Sequence, residues 1–178
     1  MKKVGKSGGI WGFLCNFEAE LHYNVYSMRF LGNIEARTDA KGRAFLPSVF
    51  RKALQMSGEE TLVLRKDVFQ ECLVLYPESV WNGQLDFLRS RLNRWNAEHQ
   101  QIYRTFIADA VSITLDGNGR FLIPKRQMKL ACIEQAIRFI GMGDTIEIWA
   151  SEAESKALLP SDEFGKALQD VLGREKED

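Results

Sequence analysis

The chain has 178 residues and a mass of 20.4 kDa, enough for one ordinary domain or two small ones and too little for a large multidomain machine. It is 45% hydrophobic and 27% charged, the balance of a soluble globular protein rather than of a disordered one. Lys+Arg and Asp+Glu both number 24, so a strongly basic protein is excluded while a local basic patch is not. The longest stretch without Asp, Glu, Lys, Arg or His is eleven residues, Ser7 to Phe17, short of the roughly 18 that a membrane-spanning helix needs. In residues 1–27, Lys2, Lys3 and Lys6 precede the apolar run Ile10 to Phe17, as in a secretory leader. No small-residue cleavage site follows, and Glu18 interrupts early. These 27 residues read as a dispensable extension or a mis-set start, with the functional protein beginning near Met28.

From Phe30 to Thr38 strand-forming residues alternate, and Asp39-Ala40-Lys41-Gly42-Arg43 follows. Asp suits the first position of a type I turn, because its carboxylate can accept the N–H groups ahead of it. Gly42 suits the left-handed position from which a return strand starts, so the pentapeptide predicts a hairpin with Arg43 leaving the turn. Pro47 then suits the first position of a short helix over Ser48 to Leu54. Thr61 to Arg65 and Leu73 to Tyr76 read as strands. Trp81, Leu85, Leu88, Leu92 and Trp95 step by 4, 3, 4 and 3 along one helical stripe. Asn96 can cap a second helix with apolar positions Ile102, Tyr103, Phe106 and Ile107, so an αα hairpin is predicted, packed on the sheet or on a neighbour.

The first unit then recurs. Ala110 to Leu115 alternates, and Asp116-Gly117-Asn118-Gly119-Arg120 and Pro124 stand 77 residues after Asp39, Gly42, Arg43 and Pro47. A basic helix over Lys125 to Ala131 and strands over Ala136 to Ile140 and Ile146 to Trp149 complete a second β-turn-β-α-β-β. Ser161 is expected to cap a last helix with Phe164, Leu168, Val171 and Leu172 on its apolar edge, stopped by Gly173. Zero net charge conceals a segregation. Arg37 to Lys52 carries +4, Asp116 to Lys129 carries +3, and Ser151 to Asp178 carries −4. Phosphate oxygens are the obvious counter-charge for the two basic units.

Other chemistry is not supported. Cys15, Cys72 and Cys132 are scattered and lack C-x-x-C spacing. His22 and His99 are isolated, so neither a disulfide scaffold nor a metal site is expected, and a reducing cytoplasm fits. Asp116 to Asn118 opens like a calcium loop, but Arg120 and Gln127 stand where oxygen ligands belong. Gly141-Met142-Gly143 has Ile146 in place of the third glycine of a dinucleotide loop, and a strand follows it. No nucleophile–base motif is present, so an enzyme is disfavoured.

The ordered set of Asp39 to Arg43, Leu46-Pro47, Phe50-Arg51, Leu73 to Pro77 with Trp81, Arg104-x-Phe106-x-Ala108-x-Ala110, Asp116 to Pro124 and Gly141 to Trp149 resembles the MraZ family of bacterial transcriptional regulators. The resemblance covers about Met28 to Trp149. It departs from the family in having Leu92-Asn93 where a Pro is common between the two helices, and in having residues 1–27 at all. It implies a mainly β fold with helices: two tandem swapped-hairpin half-barrels of the AbrB (SpoVT-like) type, joined by the αα hairpin. It also implies a closed ring of identical subunits that binds short direct repeats in double-stranded promoter DNA and controls the division and cell-wall operon it heads. The family's signature positions fall on Asp39, Arg43, Asp116 and Arg120.

The expected organisation is an extension over 1–27, a first repeat over 28–80, a helical connector over 81–109, a second repeat over 110–153 and an acidic helix or tail over 154–178. The expected DNA-binding residues are Arg37, Lys41, Arg43 and Arg120, with Asp39, Gly42, Asp116 and Gly119 shaping the turns. No cofactor, metal, membrane or small-molecule substrate is expected, and the protein is placed in the cytoplasm on the nucleoid. The first turn, with three basic residues around it, is the better DNA-facing candidate. Arg43→Ala is expected to lose binding with the ring intact, and Arg120→Ala mainly to disturb folding or assembly. The alternatives are an AbrB-type antitoxin or protein-binding module, and an enzyme of unrecognised class.

Overall fold

The computed structural model describes residues 29–173. The expectations for residues 1–27, and for the last five residues of the tail, lie outside them. The order of elements is β1 (Asn33–Arg37), β2 (Arg43–Phe45), α1 (Ser48–Ser57), β3 (Thr61–Lys66), β4 (Leu73–Pro77), α2 (Glu78–Arg91) and α3 (Ala97–Ala108). The second unit follows as β5 (Val111–Thr114), β6 (Arg120–Leu122), α4 (Lys125–Leu130), β7 (Ala136–Gly141) and β8 (Ile146–Ala150). A 3₁₀ turn (Ser151–Ala153), α5 (Glu154–Ala157) and α6 (Ser161–Leu172) close the described chain. All strand pairs are antiparallel: a six-stranded sheet in the order β1-β7-β8-β4-β3-β5, and a two-stranded ribbon of β2 and β6.

Each repeat lends its first strand to the other. β1 lies against β7, with Asn33 opposite Ile140 and Arg37 opposite Ala136. Reciprocally, β5 lies against β3, with Thr61 opposite Thr114. Each turn closes locally as the sequence predicts, with Asp39 N–H to Arg43 O and Asp116 N–H to Arg120 O both at 2.8 Å, but the arms on either side part at once instead of continuing as a two-stranded ladder. Beyond the first turn's own backbone bonds one bridge, Thr38 to Ala44, joins its arms, and β2 then pairs with β6 of the second repeat. The physical reason lies a few residues on. Pro47 has no N–H to donate, and the buried Leu46 turns the chain into α1, so a longer ladder on β1 has no room. The ribbon is extended symmetrically by Leu46 N–H to Gly119 O (3.0 Å) and Ile123 N–H to Gly42 O (2.9 Å), equivalent bonds in the two repeats.

The core is continuous across both repeats. Phe30, Phe50, Leu62, Leu64, Leu73, Leu75, Ile123, Ile137, Phe139, Ile146 and Ile148 are all essentially inaccessible to water. β4 is buried at every position, as expected of a strand covered on both faces. Phe30, ahead of β1, meets Phe50 edge-on at 5.7 Å and is held by paired backbone bonds with Gly143.

All four prolines, Pro47, Pro77, Pro124 and Pro160, are N-cap residues with φ near −55° and extended ψ. Pro47 and Pro124 thus sit one position before the helical one predicted for them. Likewise Ser161 is the first helical residue of α6 and makes no side-chain cap, because Pro160 already holds the extended dihedral of the capping position. Between α2 and α3 the break rests on asparagine: Asn96 accepts from the His99 N–H, and Asn93 N–H donates to His99 Nδ1. α2 ends at Arg91, so the predicted stripe stops short. Trp81 is buried and stacks on Phe106 at 5.5 Å, whereas Trp95 lies beyond the helix and is 94% exposed.

Candidate nucleic-acid interface

Both turns have the same internal wiring. Asp39 Oδ1 accepts the backbone N–H groups of Lys41 and Arg43, each at 2.9 Å, and its Oδ2 accepts Arg43 Nε at 2.7 Å. Asp116 Oδ1 accepts the N–H groups of Asn118 and Arg120 at 2.9 Å, and its Oδ2 accepts Arg120 Nε at 2.8 Å. Gly42 and Gly119 take φ of +84° and +78°, the left-handed region in which a Cβ is strained. The backbone N–H of Arg43 or Arg120, above all, with the guanidinium and the second backbone N–H, holds each carboxyl below its ordinary value. Each Asp is thus committed to its turn. Each Arg is held by the carboxylate while its side chain stays 39% (Arg43) or 31% (Arg120) exposed, which leaves N–H donors of the guanidinium within reach of solvent.

The surroundings of the two turns differ, and the difference comes from the opposite repeat. Arg51 of α1 and Met128 of α4 are equivalent positions, 77 apart, and each lies over the other repeat's turn. Met128 packs on Gly42. Arg51 packs on Gly119 and donates to the Asn118 carbonyl at 3.3 Å. Beside the first turn, Lys41, Lys125, Met128 and Lys129 line a shallow cavity of about 380 Å³ with Asp39 and Glu134. None of the ion pairs among the described residues engages Lys41, Lys125 or Lys129. Arg126, by contrast, is held by Asp109 at 2.6 Å.

The four cations predicted as DNA-binding are not equally close together. Arg43 and Arg120 share the ribbon, with Arg43 opposite Leu122 and Arg120 opposite Phe45. Lys41 is exposed in the first turn. Arg37, exposed at the end of β1, lines a different cleft with Cys132, Ser151 and Glu152, separated from Lys41 by Glu134 and Gln135. Sequence reading missed Lys125 and Lys129 as neighbours of the first turn, and Arg51 as part of the second. The signal for all three was the strand exchange, which no local pattern reveals. It also missed Arg65, buried on β3 with its guanidinium 4.1 Å from the Phe106 ring centroid.

Other chemistry has little footing. Among the described residues no three His, Cys, Asp or Glu side chains are grouped to hold a metal. Cys72 is buried, which pushes its thiol up to about 12, while Cys132 is exposed. No described helix is long and apolar enough to cross a membrane.

Comparison with known proteins gives a consistent family assignment. A family model described as "MraZ protein, putative antitoxin-like" matches residues 29–104 and 106–156. A protein of Phocaeicola vulgatus named "Transcriptional regulator MraZ" is 62% identical over 146 residues, covering 82% of this chain and 95% of that one. Proteins of the same name from Bacteroides fragilis and Bacteroides thetaiotaomicron are each 55% identical, over 84% and 83% of this chain and 94% and 95% of theirs. The matched segments contain both Asp-x-x-Gly-Arg turns and every strand of the shared sheet, and the chain belongs to the MraZ family.

Proposed function

We propose that this chain is a sequence-specific, DNA-binding transcriptional regulator built from two swapped-hairpin, AbrB-like half-barrels. It assembles as a closed ring, binds short direct repeats in the promoter of the division and cell-wall operon it heads, and works in the cytoplasm on the nucleoid. The observation that carries this reading is the pair of turns on one ribbon. Two carboxylate-braced arginines project from adjacent antiparallel strands, and unpaired lysines from both repeats stand beside the first turn. Arg37, Lys41, Arg43 and Arg120 are the DNA-binding residues, and Asp39, Gly42, Asp116 and Gly119 shape the turns. The name shared by the relatives supports the regulatory role.

A single protomer offers a small contact, so affinity comes from neighbouring protomers on successive DNA repeats. Such linkage raises avidity by on the order of 10² or more. The ring reading is supported by apolar surface that a lone protomer leaves in water: Phe87 and Ile102 on α2 and α3, and Phe164, Leu168, Val171 and Leu172 on α6. Contacts between non-identical surfaces close into rings when the rotation permits. The test is a gel-shift titration against the DNA immediately upstream of the protein's own gene. Retardation that weakens steeply with salt, and that is mostly lost when the duplex is cut to one repeat, is expected. Equal affinity for a scrambled duplex would overturn the reading, and a stable monomer by light scattering at micromolar concentration would overturn the ring. The antitoxin alternative has the family description in its favour; it predicts that a toxin co-purifies with the protein.

A further inference from the structure

We propose that Phe45 and Leu122 read DNA bases, as apolar contacts to thymine methyl groups in the major groove. The proposal rests on the DNA-binding reading above and adds to it the chemistry that is recognised. The ribbon of β2 and β6 has two faces. Ala44 and Phe121 point into the core and are 0% and 2% exposed. The outer face carries Arg43 and Phe45 on one strand and Arg120 and Leu122 on the other, each arginine opposite an apolar side chain. Phe45 is 58% exposed and Leu122 51% exposed. They are equivalent positions of the two repeats, 77 residues apart, so the exposed apolar group recurs with the turn. The guanidinium of Arg120 stands 5.7 Å from the Phe45 ring centroid, which holds ring and cation on the same face.

The shape fits a duplex. Strands about 4.8 Å apart make a ribbon narrower than the roughly 12 Å major groove, which admits two-stranded ribbons. In that groove thymine offers a methyl group and guanine offers two acceptors to an arginine fork. A face of two guanidiniums and two apolar side chains matches both. A second copy of the ribbon is a poorer occupant, because it would bring Arg43 and Arg120 against their own kind with no counter-charge beyond the Asp39 and Asp116 that already brace them. Phosphates flanking the groove supply that counter-charge, and Lys41, Lys125 and Lys129 stand beside the first turn to meet them.

The test uses the full-length protein and two duplexes of the upstream DNA, one natural and one with deoxyuridine in place of every thymidine, which removes only the 5-methyl groups. The wild-type protein is expected to bind the uracil duplex more weakly, by about fourfold for each methyl contacted. The variant Phe45→Ser/Leu122→Ser is expected to bind both duplexes equally, with the same salt dependence and the same oligomeric mass as wild type. Wild-type protein that prefers upstream to scrambled DNA yet binds both duplexes equally overturns this proposal and leaves the DNA-binding reading standing. Wild-type protein with no preference for upstream DNA overturns both. A double variant that still discriminates against uracil, or whose mass in light scattering falls, also overturns the proposal, the latter by making this face a contact between copies.

Discussion

Arg43 and Arg120 occupy the same bond network, down to a tenth of an ångström in the Nε–Oδ2 distance. That likeness bears on the expected division of labour between them. An exposed ion pair inside a turn contributes little to stability, and the two turns contribute alike, so Arg43→Ala and Arg120→Ala should each lower Tm by a small and similar amount in calorimetry. DNA affinity should separate them. Arg43→Ala should cost more, because the first turn is the one with Lys41, Lys125 and Lys129 beside it, while the second turn's extra cation, Arg51, is already bonded to Asn118 O. Equal losses in a gel-shift titration would remove the first turn's priority. The aspartates give a pH prediction. Folding lowers the pKa of Asp39 and Asp116 from the ordinary value of 3.8, so their bonds add stability that is fully present above that value. That contribution is lost as pH falls through the lower folded-state value, because protonation removes the charge that the N–H groups and guanidinium hold. Carboxyl titration by NMR should place both midpoints below 3.8, and Asp39→Asn should flatten the acid limb of the stability curve. A midpoint at or above the ordinary value would contradict the wiring described.

At the scale of elements, what was legible in the sequence was what is local. Strand alternation, the helical steps from Trp81 to Leu88, the Asn96 cap and the 77-residue recurrence all act within a few residues or by plain repetition, and they appear in the structure as helices, strands and equivalent turns. The partner of each strand was not legible. Alternation fixes which face of β1, that of the half-buried Ile34 and Ala36, turns to the core, but β7, about a hundred residues away, satisfies its N–H and C=O groups. The candidate site inherited the same limit: Arg43 and Lys41 stand in the motif, whereas Lys125, Lys129 and Arg51 reach the turns only through the exchange. Trp95 was misjudged because a helical period says nothing of where the helix stops, which Leu92 in an extended conformation and the Asn93–His99 bond decide. The exchange also creates a position where one atom matters. At Gly141, on β7 beside β1, a Cβ would collide with the Phe30 backbone, and the Gly141 N–H donates to Gly32 O at 2.8 Å. Gly141→Ala should therefore displace Phe30 from the core and destabilise the fold by on the order of 1–3 kcal/mol or more, read by denaturant unfolding. An unchanged midpoint would show that the segment ahead of β1 is not locked as described.

Across the whole molecule the repeats are two in sequence and one in packing. Each of the two interior hairpins, β3–β4 and β7–β8, is flanked by the first strand of the other repeat, and β4 pairs with β8 to join the halves. A repeat taken alone would lose partners along β1 or β5, the whole β2–β6 ribbon and the β4–β8 seam, and would open Leu73, Leu75, Ile146 and Ile148 to water. Such edges and apolar faces favour pairing with another chain over a folded monomer. Splitting the protein between α2 and α3, at the exposed Arg94–Trp95 peptide, should give two fragments that are unfolded or self-associated apart. Mixed, they should recover a native-like far-UV spectrum and a cooperative unfolding transition, because every exchanged strand then has its partner, including β5, which travels with the second fragment and returns to β3 of the first. Titrating one fragment into the other should show a one-to-one endpoint, and the strand register can be checked by a cross-link between residues 37 and 136, which face each other across β1 and β7. If either fragment alone unfolds cooperatively as a monomer, the two repeats are independent domains, and the turns act without the braces that Arg51 and Met128 supply from the opposite half.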